Sequence, residues 1–159
     1  NEMCSLSMTE EEMIAEAAKL GADCPFFIMS RPAYAEGIGE RLEPIALSLA
    51  GYWLVVVRPD IPVSTREAFS LVKPRPTLKK CREIVMQPIE TWREELVNDF
   101  EQSVCALHPE IGAIKSRLYD LGAVYSAMSG SGSSVFGIFR SEVKLEGEFD
   151  GCFVKQIEL

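Results

Sequence analysis

Behind Thr9, apolar residues recur at Met13, Ile14, Ala17, Ala18 and Leu20, the spacing of one helix face. Thr9 and Glu12 form a capping box, acidic residues fill the first turn, and Gly21 supplies a stop. The pattern then changes. CPFFIM, residues 24–29, is an unbroken apolar run that predicts a buried strand. AYAEGIGERLEPIAL, residues 33–47, predicts two short strands around Gly37 and Gly39, and GYWLVVVRP, residues 51–59, predicts the strongest strand of the chain, ended by Pro59.

Ser64 and Glu67 cap a second helix, STREAFSLV, after which Pro74 and Pro76 break the chain. Helical segments are expected over 78–86 and 90–106. Pro109 opens a further helix with Ile111, Ile114, Leu118 and Leu121 on one face, stopped by Gly122. Strands follow at 123–128 and 134–139, and a last alternating one in CFVKQIEL. The link between AVYSAM and SVFGIF is too short for a parallel crossover, so those two strands should pair antiparallel. The expected fold is α+β, several helices on an antiparallel sheet.

Composition narrows the partners. Of 159 residues, 47% are apolar and 25% charged, ordinary values for a folded domain, and the net charge is −8. The densest basic stretch, KPRPTLKKCR at 73–82, is short and twice interrupted by proline, which suits a solvated face or linker better than a nucleic-acid surface. An anionic ligand would therefore be held by backbone amides, helix ends and a metal rather than by bulk charge. Five dispersed cysteines without C-x-x-C spacing favour reduced thiols and a cytoplasmic location. The single histidine, His108 in LHPE, excludes a multi-histidine metal site and suits a surface or capping role. No apolar run approaches the roughly 18 residues of a membrane helix and no signal peptide is visible. The chain starts at Asn1 without Met, as a piece of something longer would.

Three features carry chemistry. Met128-Ser129-Gly130-Ser131-Gly132-Ser133-Ser134 separates two apolar runs, although a hairpin needs only two turn residues. Its glycines can adopt positive φ and let N–H groups converge on an anion; equally, it could be a solvent-exposed hairpin. Asp23, two residues past a helix stop and ahead of an apolar run, is either a turn former or a functional carboxylate that could accept a hydroxyl proton. In PDIPVSTREAF a capped helix start follows the main strand with Phe69 one turn in, where pattern alone makes it a core residue.

LGADCPFF, AYAEGIGERLEP, WLVVVRPDIPVSTREAF and MSGSGSSVFGIF, in this order, resemble the GHMP kinase superfamily, and within it the 4-diphosphocytidyl-2-C-methyl-D-erythritol kinase family. The resemblance covers nearly the whole chain. It implies residues 1–50 as the end of an N-terminal GHMP domain and 51–159 as the C-terminal domain, with about four antiparallel strands in a ferredoxin-like layout. It implies a cytidine-diphosphate-linked small-molecule substrate, ATP with Mg²⁺, no nucleic acid and no membrane. The reaction would be phosphorylation of the substrate's 2-hydroxyl in non-mevalonate isoprenoid precursor synthesis. Asp23 matches the catalytic aspartate, Phe69 an aromatic stacked on cytosine, Thr65 and Ile38 the lining of the cytidine pocket. Ser129, Gly130, Ser131, Gly132 and Ser133 match a motif that packs near the phosphates.

The family's N-terminal lysine and its PxxxGLGGGSS-type phosphate loop are not in these residues. That departure implies a C-terminal part inactive alone, with uncovered surface beside residues 9–50 and a tendency to homo-association. It also leaves no nameable Mg²⁺ ligand. The helix that the family often carries after the SVFGIF strand has little room in RSEVKLEGEFDGCF. Two other readings stand beside this one. One is a GHMP kinase for homoserine, mevalonate or a sugar; the other is a non-catalytic α+β interaction module in which Asp23 is a replaceable turn residue.

Overall fold

The computed structural model describes residues 1–73 and 79–159. The chain divides into two compact units, Asn1–Ser48 and Leu49–Leu159.

The first unit starts with a 3₁₀ turn, Glu2–Cys4, and helix α1, Glu10–Leu20. The capping box forms in both directions: Glu12 N–H donates to Thr9 Oγ1 at 3.2 Å, and Thr9 N–H donates to Glu12 Oε2 at 2.8 Å. Gly21 caps the far end with extended backbone, φ 176°, its N–H donating to Ala17 O. Of the apolar stripe, only Ala17 is buried.

CPFFIM is a helix, α2 (Cys24–Met29), where the apolar run predicted a strand. Six apolar residues do not distinguish the two by periodicity. Pro25 settles it, standing in the first helical turn where its missing N–H costs nothing. Ser30 closes the helix in left-handed conformation, φ 47°, donating to Phe26 O at 2.8 Å. Nor is the run buried: Pro25 is, but Phe26, Phe27 and Ile28 are exposed.

Strands β1 (Ala33–Glu36) and β2 (Arg41–Pro44) pair antiparallel around the Gly37–Glu40 turn, as expected from the two glycines. Gly37 and Gly39 both take positive φ, 72° and 110°, conformations that L side chains seldom adopt.

The second unit is built on a four-stranded, wholly antiparallel sheet in the order β4-β5-β3-β6. The strands are β3 (Trp53–Arg58), β4 (Tyr125–Met128), β5 (Val135–Phe139) and β6 (Phe153–Glu158). β4 and β5 flank the Ser/Gly loop, with Met128 opposite Val135.

Helix α3 (Thr65–Leu71) starts where the sequence places it, Ser64 Oγ accepting the Glu67 N–H at 3.4 Å. Pro74, Pro76 and the start of the segment expected from residue 78 lie outside the described residues. Beyond them come α4 (Cys81–Ile84), a 3₁₀ turn (Ile89–Thr91) and α5 (Trp92–Glu95). The helix expected over 90–106 is broken at 96–100 and resumes as α6 (Glu101–Leu107). Asn98 causes that break, its Oδ1 accepting the Phe100 N–H at 2.9 Å in competition with helical bonding.

Helix α7 (Pro109–Asp120) follows, with His108 ahead of it making no side-chain cap bond. Ile111, Ile114 and Leu118 are buried against Val55, Val57, Val135 and Phe139 of the sheet, together with Val104 of α6 and Ala68 of α3. Each such aliphatic side chain contributes about 1.5–3 kcal/mol by leaving water. Period-two alternation turns Tyr125 and Ile138 to the other face, where the Trp92 ring meets Tyr125 edge-on at 5.6 Å. Between β5 and β6 the described residues form turns and no helix. No helix among the described residues is long and apolar enough to cross a membrane.

Candidate active site

In the first unit the chemistry centres on Asp23. It occupies the N-cap position of α2, yet its carboxylate makes no cap hydrogen bond. A turn-forming aspartate would use its oxygens on the backbone; these are left to the surface. Asp23 lines a cavity of about 320 Å³ with Phe26, Phe27, Ala33, Ala35, Gly39 and Leu42. Gly39 makes the approach close, for a Cβ there would stand 3.3 Å from Asp23 Oδ1.

The turn that brings Gly39 to Asp23 has its own anchor. Glu40 Oε2 accepts the Ile38 N–H at 2.7 Å. A Cβ on Gly37 would lie 2.6 Å from both Glu40 oxygens, so only glycine leaves room for that carboxylate. Hydrogen bonds from its own backbone and from Ile38 hold the Glu40 carboxyl below the usual carboxylate range. Ile38 itself is 83% exposed, an apolar side chain carried on a fixed turn.

In the second unit the Ser/Gly loop is pinned at its base, where Ser129 N–H donates to Ser134 O at 2.8 Å and Gly132 N–H to Ser129 O at 3.0 Å. Gly130 and Gly132 have φ of 55° and 91°. A Cβ on Gly132 would meet Met128 Sδ at 2.9 Å, so this glycine serves a close approach as well as a turn. Among the described residues, the N–H groups of Gly130, Ser131 and Ser133 have no acceptor. They are the donors an anion would need.

Thr65, at the head of α3, sets its hydroxyl 3.2 Å from that of Ser131. Phe69, one turn on, is 63% exposed and not a core residue, contrary to what its position in the pattern suggests. Its ring is met edge-on by Phe100, centroids 4.9 Å apart and planes at 77°. On the loop's other flank, Ser133 Oγ donates to Pro59 O at 3.4 Å beside a cavity of about 410 Å³ formed with residues 58–63.

Sequence reasoning missed the residues that hold this loop. Asn98 Nδ2 donates to Met128 O and Gly130 O, both at 2.8 Å. Glu101 Oε1 accepts the Met128 N–H at 2.7 Å, while its other oxygen takes Lys115 Nζ at 2.6 Å. The signal was Asn-Asp inside an otherwise helical stretch, which is turn chemistry in the wrong place for a helix. Among the described residues no group of three or more His, Cys, Asp or Glu side chains is placed to hold a metal ion.

Residues 77–148 match the family described as GHMP kinases C terminal. A Parabacteroides distasonis protein named 4-diphosphocytidyl-2-C-methyl-D-erythritol kinase is 47% identical across all of this chain and 59% of its own length. A Bacteroides fragilis protein of the same name is 49% identical across all of this chain and 58% of its own. The family match lies within the second unit and takes in less than half of the chain.

A crystal structure of a 4-(cytidine 5'-diphospho)-2C-methyl-D-erythritol kinase matches 86% of this chain and 50% of its own at TM-score 0.72 and 33% identity. A homoserine kinase from Cytophaga hutchinsonii matches 99% of the chain and 59% of its own at TM-score 0.59, but at 15% identity it shares the fold alone. The chain spans less than three fifths of the length of these curated relatives.

Proposed function

We propose that the gene product to which this chain belongs uses ATP to phosphorylate the 2-hydroxyl of 4-diphosphocytidyl-2-C-methyl-D-erythritol, a step in isoprenoid precursor synthesis. The observation that carries this reading is the identity of nearly half, over the whole chain, with relatives of that name. The geometry supports it at Asp23, whose carboxylate faces a cavity with no cap bond to make.

In this reading Asp23 is the general base. One of its oxygens accepts the proton of the substrate alcohol as that alcohol oxygen bonds to phosphorus and the bond from phosphorus to the departing diphosphate breaks. Within the second unit, Phe69 offers an exposed ring to the cytosine and Thr65 a hydroxyl to the cytidine. The loop Ser129–Ser133 lies near the phosphates, an assignment that suits its small residues and the N–H groups of Gly130, Ser131 and Ser133, which have no acceptor among the described residues. Mg²⁺ supplies charge neutralisation in phosphoryl transfer, but the described residues offer no acidic cluster for it, so no ligand is assigned here.

ADP release by the full-length gene product, given ATP, Mg²⁺ and one alcohol at a time, tests the reading. Turnover with the cytidine-linked alcohol and none with homoserine or mevalonate is expected. Turnover with either of those instead would replace the substrate, and turnover with none would remove the kinase reading.

A further inference from the structure

The break in the helical run at 96–100 stands between two parts of the candidate site. A side-chain amide has two N–H donors and a carbonyl acceptor, and Asn98 spends them on three backbone groups. Its nitrogen binds Met128 O and Gly130 O at 2.8 Å each, and its oxygen accepts the Phe100 N–H at 2.9 Å. Phe100 in turn sets its ring edge-on to Phe69 at 4.9 Å. Glu101 adds a bond from the same segment to the Met128 N–H. A continuous path of direct contacts thus runs from the loop, through one side chain and one backbone amide, to an aromatic ring that is 63% exposed.

We propose that Asn98 is a positioning residue that couples the Ser/Gly loop to the Phe69 ring, setting the anion-facing amides and the base-facing aromatic as one unit. The kinetic part of this inference rests on the function proposed above; the coupling itself does not. Aspartate in this position would keep the acceptor for Phe100 and lose both donors to the loop. Glutamine, one methylene longer, would misplace all three bonds.

Hydrogen exchange on the full-length gene product, with and without Asn98→Asp, reads the coupling. Exchange should accelerate roughly tenfold in peptides covering 128–135 and also 65–72, with α7 and β3 unchanged. Acceleration confined to 128–135, or absent, overturns the proposal. If exchange rises in α7 and β3 as well, the substitution has loosened the whole unit and Phe100→Leu decides. That variant keeps the backbone bond to Asn98 and removes the ring edge, so it should accelerate 65–72 alone; no change there overturns the proposal. In steady-state kinetics with the cytidine-linked substrate, Phe69→Ala and Asn98→Asp together should cost at least about fivefold less in kcat/KM than the product of their separate losses. Losses that multiply contradict the coupling. A Phe69→Ala variant with unchanged KM would instead sink the proposed substrate, leaving the exchange result to judge Asn98.

Discussion

The hydroxyl oxygens of Thr65 and Ser131 lie 3.2 Å apart across 66 residues of sequence, joining the head of α3 to the apex of the Ser/Gly loop. Valine at position 65 keeps the side chain's shape and removes the hydroxyl. Thr65→Val is expected to raise the KM for the cytidine-linked substrate by a few-fold to about tenfold, the worth of one hydrogen bond. Both groups reach solvent, so urea unfolding midpoints should barely move.

Gly39 combines positive φ with a projected Cβ only 3.3 Å from Asp23 Oδ1. Gly39→Ala forces either backbone strain of about 1–2 kcal/mol or a shift of the carboxylate. A fall in kcat of at least about tenfold, with KM for ATP unchanged, is expected in steady-state assays. A variant with wild-type kcat would show that Asp23 tolerates displacement.

Gly137 is a core glycine of a different kind. A Cβ there would stand 2.9 Å from Phe139 Cε2 and 3.4 Å from the Cβ atoms of both Leu118 and Ala123. Phe139 and Leu118 are almost wholly buried, so neither has free space to move into. Gly137→Ala should cost about 1–3 kcal/mol in urea unfolding through overpacking.

Two carboxyls set part of the acid limb of stability. The Glu40 carboxyl is lowered by hydrogen bonds from its own backbone and from Ile38, and the Glu148 carboxyl by the paired bonds from Arg117. Both titrate lower in the folded chain than in the unfolded one, so unfolding takes up protons as the pH drops. Their contribution is fully present above about 4.5 and is lost as the pH falls through the lowered folded values. Thermal melts from neutral to strongly acid pH should show a smaller acid loss in Glu40→Gln and in Arg117→Gln than in the parent. Both pairs are solvated, so added salt should shrink the Arg117 effect.

Much of this fold is legible in the chain because its signals are local and agree with one another. Ser64 and Pro109 mark helix starts by capping and by ring geometry, and both helices begin there. The β-branched run at 55–57 has no helical period and becomes part of a central strand. CPFFIM failed because an apolar run of six carries no period, and Pro25 was the punctuation that mattered. Asp23 and the Ser/Gly loop could be singled out from excess, a carboxylate or a glycine more than a turn requires. Asn98 left only a trace, turn chemistry in a helical stretch, and Glu101 none, since what they hold is a strand end some 30 residues away. Phe69 shows the same limit, for its exposure is fixed by how α3 meets α6, not by its neighbours in sequence.

The central claim is that the Asp23 carboxylate takes the proton of the substrate alcohol. Single-turnover transfer of the γ-phosphate from ATP to the cytidine-linked alcohol, in the full-length gene product and its Asp23→Asn variant, tests this most directly. Substrate binding would be measured separately by calorimetry. A rate lower by about 10²- to 10⁴-fold, with substrate affinity and unfolding midpoint close to the parent's, is the expected result. Transfer at the parental rate by Asp23→Asn would contradict it and return Asp23 to the role of a replaceable turn residue.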